Sequence, residues 1–126
     1  MLLKSVAAAL GAAIMTAVAP AAADPDVAAG ERVFRSQCMG CHSVEEGLNR
    51  AGPTLYGLFG REAGSIKGFT YSDAMRGANF VWTYQMLDAF LEDPRALVPG
   101  TSMVFWGLRS DDRRRVVAYL GAAAAE

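Results

Sequence analysis

Cys38 and Cys41 stand three positions apart, and His42, the only histidine of the chain, follows at once. Two thiols on one helical turn can reach neighbouring edges of a planar macrocycle and bond its two vinyl groups. The adjoining imidazole then falls beneath the central metal. Cys-x-x-Cys-His is the pattern of covalent c-type haem attachment. A redox dithiol of the thioredoxin kind is expected within βαβ patterning, which this chain lacks. A zinc site needs about four ligands, and two cysteines with one histidine and no second cluster fall short. The motif also uses both cysteines the chain possesses. One covalently attached haem c is therefore expected, with Cys38 and Cys41 holding the macrocycle and His42 on the iron.

A second axial ligand would come from a methionine. Met1 and Met15 lie in the apolar leader, and Met39 lies inside the attachment motif on the proximal side. Met86 shares a helical stripe with Phe90, where core packing is the usual role. Met103 sits in a loop with Pro99 and Gly100 that is free to turn a thioether inward. Residue chemistry alone favours Met103 and keeps Met75 as the second candidate.

The elements that must position these groups read as helices and turns. Asp26 to Cys38 is expected to be helical, with Asp26 as its cap and Val27, Gly30, Phe34 and Cys38 along one face. Gly30 lowers helix propensity, which points to close approach of a second helix. Glycines punctuate residues 47–68, and no clean alternation argues for a sheet. A short helix is expected over Ser72 to Ala78. Another, capped by Thr83, carries Met86, Leu87, Phe90 and Leu91 and is stopped by Pro94. Val98 to Trp106 reads as an irregular loop. A last helix opens at Ser110 or Asp111, with Val116, Val117 and Leu120 apolar. Arg113, Arg114 and Arg115 near its start read as a solvated face.

Residues 1–23 have the form of a secretory signal peptide: Lys4 in a short positive start, an Ala-rich apolar run, and Ala21-Ala22-Ala23 as a small-residue cleavage site. The apolar run falls short of the ~20 residues a membrane span requires. Cleavage after Ala23 would leave residues 24–126 as one domain in the periplasm. The whole chain has 12 basic and 13 acidic residues, a formal charge of −1, and losing Lys4 makes the remainder one unit more negative. No dense basic patch suggests nucleic acid.

The run Phe34-x-x-x-Cys38-x-x-Cys41-His42, with Gly52-Pro53-x-Leu55-x-Gly57-Leu58-Phe59-Gly60-Arg61, resembles mitochondrial-type class I cytochrome c in a bacterial exported form. Gly68-Phe69-x-Tyr71, Trp82, Pro94, Pro99-Gly100-Thr101-x-Met103 and Ala118-Tyr119-Leu120 extend the resemblance over essentially all of residues 24–126. It implies an all-α class I cytochrome c fold, a few helices and long loops wrapped around one covalent haem. It also implies that Met103 is the distal ligand and that the Pro53 carbonyl accepts the proximal imidazole N–H. Arg61, Tyr71, Trp82 and Thr101 match residues that bond or neutralise the buried propionates. Gly30 and Phe34 match the first helix's contact with the last, where Tyr119 packs.

Three departures from the family pattern stand out. Phe90 replaces a tyrosine that donates to the methionine sulfur. Met75 replaces an asparagine serving a buried water network. Gln37 and Ser102 replace lysines around the haem edge, which weakens the case for a strongly acidic partner. Trp106 stands where a small residue is usual. It is either core or an apolar docking anchor at the haem edge, with Arg35 or Arg95 orienting the partner.

These features imply a soluble, monomeric, periplasmic electron carrier rather than an enzyme, since two strong axial ligands leave no open position at iron. Expected partners are redox proteins of a respiratory or photosynthetic chain: an oxidase, reductase, dehydrogenase or reaction centre. Membranes would be met only through partner complexes. The alternative is a peroxidase-like haem enzyme or sensor with a displaceable distal methionine.

Overall fold

The structure, a computed structural model, describes residues 2–20 and 24–126, so the expected cleavage site at Ala21–Ala23 lies outside the described residues. Residues 2–20 carry no regular secondary structure and are exposed. Five helices follow in order: α1 (Pro25–Gln37), α2 (Asp73–Arg76), α3 (Tyr84–Glu92), α4 (Pro94–Leu97) and α5 (Ser110–Ala123). The architecture is all-α, with one isolated antiparallel bridge between Glu62 and Val81 among the described residues. No helix among them is long and apolar enough to cross a membrane.

The start of α1 differs from the sequence expectation. Its cap is Asp24, whose side chain accepts the Asp26 N–H at 2.8 Å, and Pro25 takes the first helical position. Proline suits that position because its φ is already helical and its missing N–H would have had no partner there. At the other end the Cys38 N–H donates to the Phe34 carbonyl at 2.8 Å. The chain then continues as a turn, with the Cys41 and His42 N–H groups both donating to the Cys38 carbonyl. The attachment motif is thus a continuation of α1, and its direction is set by how α1 is held.

What holds α1 is α5. Gly30 is buried at their crossing, and a Cβ there would overlap the Arg115 carbonyl and lie 2.8 Å from the Tyr119 Cβ. One turn on, the Phe34 and Tyr119 rings meet at 5.4 Å. Val116 on α5 is fully buried.

Pro94 does more than stop α3. Asp93 leaves helical geometry and accepts the Ala96 N–H at 3.2 Å, so it caps α4, of which Pro94 is the first residue. As expected, Thr83 caps α3, accepting the Met86 N–H at 3.1 Å. Ser72 does the same for α2 through Met75.

Of the three arginines of α5, Arg114 lies on a solvated face as expected, whereas Arg113 does not. Arg113 keeps only 12% of its side chain exposed, donating to Asp88 of α3 and to the Leu108 carbonyl, both at 2.9 Å. Arg114 bridges Asp111 and Asp26, and Arg115 reaches Asp112 at 3.4 Å. Sequence periodicity missed this because the acidic partners of Arg113 and Arg114 include residues far along the chain.

Candidate haem site

Between α3, α5 and the loops lies a cavity of about 310 Å³. Leu87, Phe90 and Leu91 of α3, Val116 and Leu120 of α5, and Leu55 and Leu58 supply an apolar wall. Cys38, Cys41, His42, Pro53, Arg61, Tyr71, Trp82, Thr101 and Met103, singled out in the sequence, all line this one space. Met75 lines it as well, and Met86 packs against the core instead.

His42 is held in one tautomer. Its Nδ1 lies 2.8 Å from the Pro53 carbonyl oxygen, which can only accept, so Nδ1 carries the proton and Nε2 keeps a lone pair. Burial pushes the imidazole pKa below its ordinary value; the Pro53 contact opposes this, and the nearby Arg61 guanidinium adds to it. Burial and the neighbouring cation thus favour the neutral ring, the form that binds a metal. Gly52 makes the arrangement possible, because a Cβ there would lie 2.6 Å from His42 Nδ1 and closer still to Cε1.

The loop that presents Pro53 is itself clamped. Ser43 and Thr54 are buried. Ser43 donates to the Leu48 carbonyl and Thr54 to that of Glu45, both at 2.6 Å, while Asn49 accepts the Thr54 N–H at 2.9 Å. Sequence reasoning missed these three residues, since polar side chains in a turn-rich stretch give no sign of which will be buried.

The cysteines differ in setting. Cys38 is partly buried, and burial pushes its thiol up to about 11, whereas Cys41 is exposed. Arg61 donates through Nη1 to the Tyr56 carbonyl at 3.1 Å, but its Nε is buried without a partner. Burial pulls the Arg61 pKa down, against the attraction of Tyr71 and Glu126. The Tyr71 hydroxyl accepts the Ile66 N–H at 3.2 Å. Trp82 is buried between Phe80 and Phe90, with ring centroids 4.8 and 5.2 Å away.

Thr101 Oγ1 accepts the Met103 N–H at 3.3 Å, and Leu108 at the end of that loop donates to the Leu91 carbonyl at 2.8 Å. The far end of the methionine loop is therefore tied to α3, and the Thr101 bond folds the chain locally at Met103. Phe90, at the cavity wall, has no hydroxyl to offer a sulfur atom.

These residues fit a haem c. The lining is mostly apolar, as a macrocycle face requires. The unpartnered Nε of Arg61 is a buried donor lacking the acceptor that a carboxylate-bearing cofactor supplies. Two thiols and a neutral imidazole stand at one side of the same space.

A helical fold, a Cys-x-x-Cys-His turn and an apolar cavity lined by both define a covalently attached c-type haem protein. The cytochrome c family profile matches residues 27–124. The chain is 44% identical to "Cytochrome c2" of Blastochloris viridis over 85% of its own length and 84% of that protein's. Over 75% of its length it is 52% identical to "Cytochrome c2" of Afifella marina, covering 79% of that protein. It is 42% identical to "Cytochrome c" of Euglena viridis over 75% of its length and 94% of that protein's. The chain belongs to the cytochrome c family, class I, and binds one covalent haem c. Its function is electron transfer, as the cytochrome c and c2 relatives support.

Proposed function

We propose that the chain is a periplasmic single-electron carrier whose iron is held between His42 and Met103. The observation that carries this reading is the shared cavity: His42, bonded through Nδ1 to the Pro53 carbonyl, and Met103, on a loop tied to α3 through Leu108, line the same space. Haem c, when bound, supplies the reversible one-electron change at iron. The protein's part is to hold and exclude. Cys38 and Cys41 would form the two thioethers, and the Pro53 carbonyl keeps the imidazole in its metal-binding tautomer. Arg61, with Tyr71, Trp82 and Thr101, would offset the propionates, whose burial without partners would be costly. The apolar wall keeps water from the iron, which limits the change in surroundings between oxidation states.

Export rests on the leader-like residues 1–23, and the cytochrome c2 relatives are bacterial proteins of similar length. The electron would pass to and from redox proteins of a respiratory or photosynthetic chain, with the carrier acting as a monomer. Optical spectra of the purified holoprotein test the ligation. Met103→Ala should abolish the weak methionine-to-iron band and lower the reduction potential sharply, while Met75→Leu should keep the band. Loss of the band in Met75→Leu alone would overturn the assignment.

One observation favours a second reading. Phe90 leaves the Met103 sulfur without a hydroxyl donor, which would ease displacement of the methionine by a small ligand in a peroxidase-like enzyme or sensor. Rapid carbon monoxide binding or peroxide turnover by the unaltered holoprotein would support that reading over the carrier.

A further inference from the structure

Residues 101–107 alternate. Thr101, Met103 and Phe105 are partly buried and line the haem cavity, while Ser102, Val104 and Trp106 are exposed, the first two at the cavity's rim and Trp106 outside it. Two of the three outward residues are large and apolar: Val104 is 82% exposed and Trp106 is 86% exposed. That degree of exposure excludes the core role left open by the sequence. The indole is not bare on both faces, however. The guanidinium of Arg95, on α4, lies 5.2 Å from the ring centroid. Stacking of this kind fixes an aromatic plane and a positive charge together.

Arg95 has no carboxylate partner among the described residues, whereas Arg35, the other candidate at the rim, is paired with Glu31 at 2.6 Å. Gln37 and Ser102, at the mouth of the cavity, are uncharged. The surface beside the haem cavity therefore offers an apolar ridge backed by one unneutralised cation, rather than a broad ring of positive charge.

We propose that Trp106, oriented by Arg95 and flanked by Val104, is the docking anchor for a redox-partner protein that presents an apolar recess with a carboxylate at its rim. Two features select this occupant. Arg95 supplies a charge that only an acidic group complements. The ridge also shares its loop with Met103, so a partner seated on it lies against the rim of the haem cavity. Aromatic side chains with arginine beside them are the residues that dominate binding at interface centres. Trp106 sets most of the affinity; Arg95 sets orientation and a modest salt dependence. The inference rests on the carrier reading above.

The test uses holoprotein and two oxidants. Ferricyanide, a small ion that needs no docking surface, reports whether the haem exchanges electrons at all. Washed membranes of the source organism report exchange with the physiological partner. Trp106→Ala should keep the spectrum and the potential, react with ferricyanide within about twofold of the unaltered protein, and react with membranes at least ~10-fold more slowly. Arg95→Gln should slow the membrane reaction by a few-fold and flatten its salt dependence. The double variant should lose less than the product of the two, because each side chain orients the other.

An unchanged membrane rate in Trp106→Ala overturns the proposal. So does a change confined to the sedimentation coefficient, which would make the ridge a contact between copies of this chain. Loss of binding to protein-free anionic vesicles together with an unchanged membrane rate would assign the ridge to lipid and overturn it equally. Failure of the unaltered protein to react with ferricyanide would instead reject the carrier reading itself.

Discussion

The crossing of α1 with α5 and the loop side of the haem cavity build an interior in opposite ways. At the crossing the helices meet directly: Gly30 admits the Arg115 backbone, Phe34 meets Tyr119, and Val116 is fully buried, with an open, solvent-facing groove beside them between Arg32 and Asp112. On the loop side the chain encloses about 310 Å³ and leaves Arg61 Nε without a partner. One region is complete as polypeptide, and the other is completed by its cofactor. The two share α5, since Val116 and Leu120 also line the cavity. A domain this small has little apolar interior to spare, so covalent attachment of the haem is an attachment of part of the core.

The largest effect should come from removing that attachment. Cys38→Ala combined with Cys41→Ala should release haem under denaturing conditions and leave the chain largely unfolded. Haem retention on denaturing gels and far-ultraviolet circular dichroism measure the two consequences. A folded, haem-free double variant would mean that the crossing alone sustains the fold and that the haem is no part of the core.

Two glycines sharpen the contrast, because each admits a neighbour into a different region. Gly30→Ala forces its methyl group into the Arg115 carbonyl and should cost about 1–3 kcal/mol, read by guanidinium unfolding, with an unaltered spectrum. Gly52→Ala meets the His42 ring and should alter the spectrum and the potential out of proportion to its effect on stability. Exchange of these outcomes between the two variants would erase the division.

A smaller effect is expected where the regions are tied together. Arg113→Ala removes the bonds from α5 to Asp88 and to the Leu108 carbonyl. Asp88 is half-exposed and regains water, so the loss should be about 1–2 kcal/mol. On the proposed ligation, imidazole should also displace Met103 more easily, since Leu108 closes that loop. Stability loss without the ligand effect would confine Arg113 to the helices.

The smallest effect concerns acid. Arg114 donates to Asp111 and holds its carboxyl below the ordinary aspartate value. A depressed folded-state pKa contributes stability above the unfolded value of 3.8, and the contribution disappears as pH falls through the folded one. Asp111→Asn should therefore make the thermal midpoint slightly less dependent on pH at the acid end. An identical pH profile would show that this exposed pair contributes nothing.

Cys38, Cys41 and His42 announced the cofactor by spacing alone, because a thioether pair and its adjoining imidazole must lie within one turn of chain. Helical periodicity and caps such as Thr83 were equally legible, since both depend on interactions a few residues apart. Gly30 signalled close approach by breaking a helical pattern without ending it. Other features depended on residues distant in sequence. Asp24 rather than Asp26 caps α1, and Asp93 with Pro94 starts a further helix, through choices between local alternatives that single residues do not settle. The pairing of Arg113 with Asp88, the burial of Ser43 and Thr54, and the exposure of Trp106 beside Arg95 were decided only in three dimensions. Spacing along the chain determines which groups can act on one macrocycle; only packing decides which polar groups are desolvated and which apolar ones are left in water.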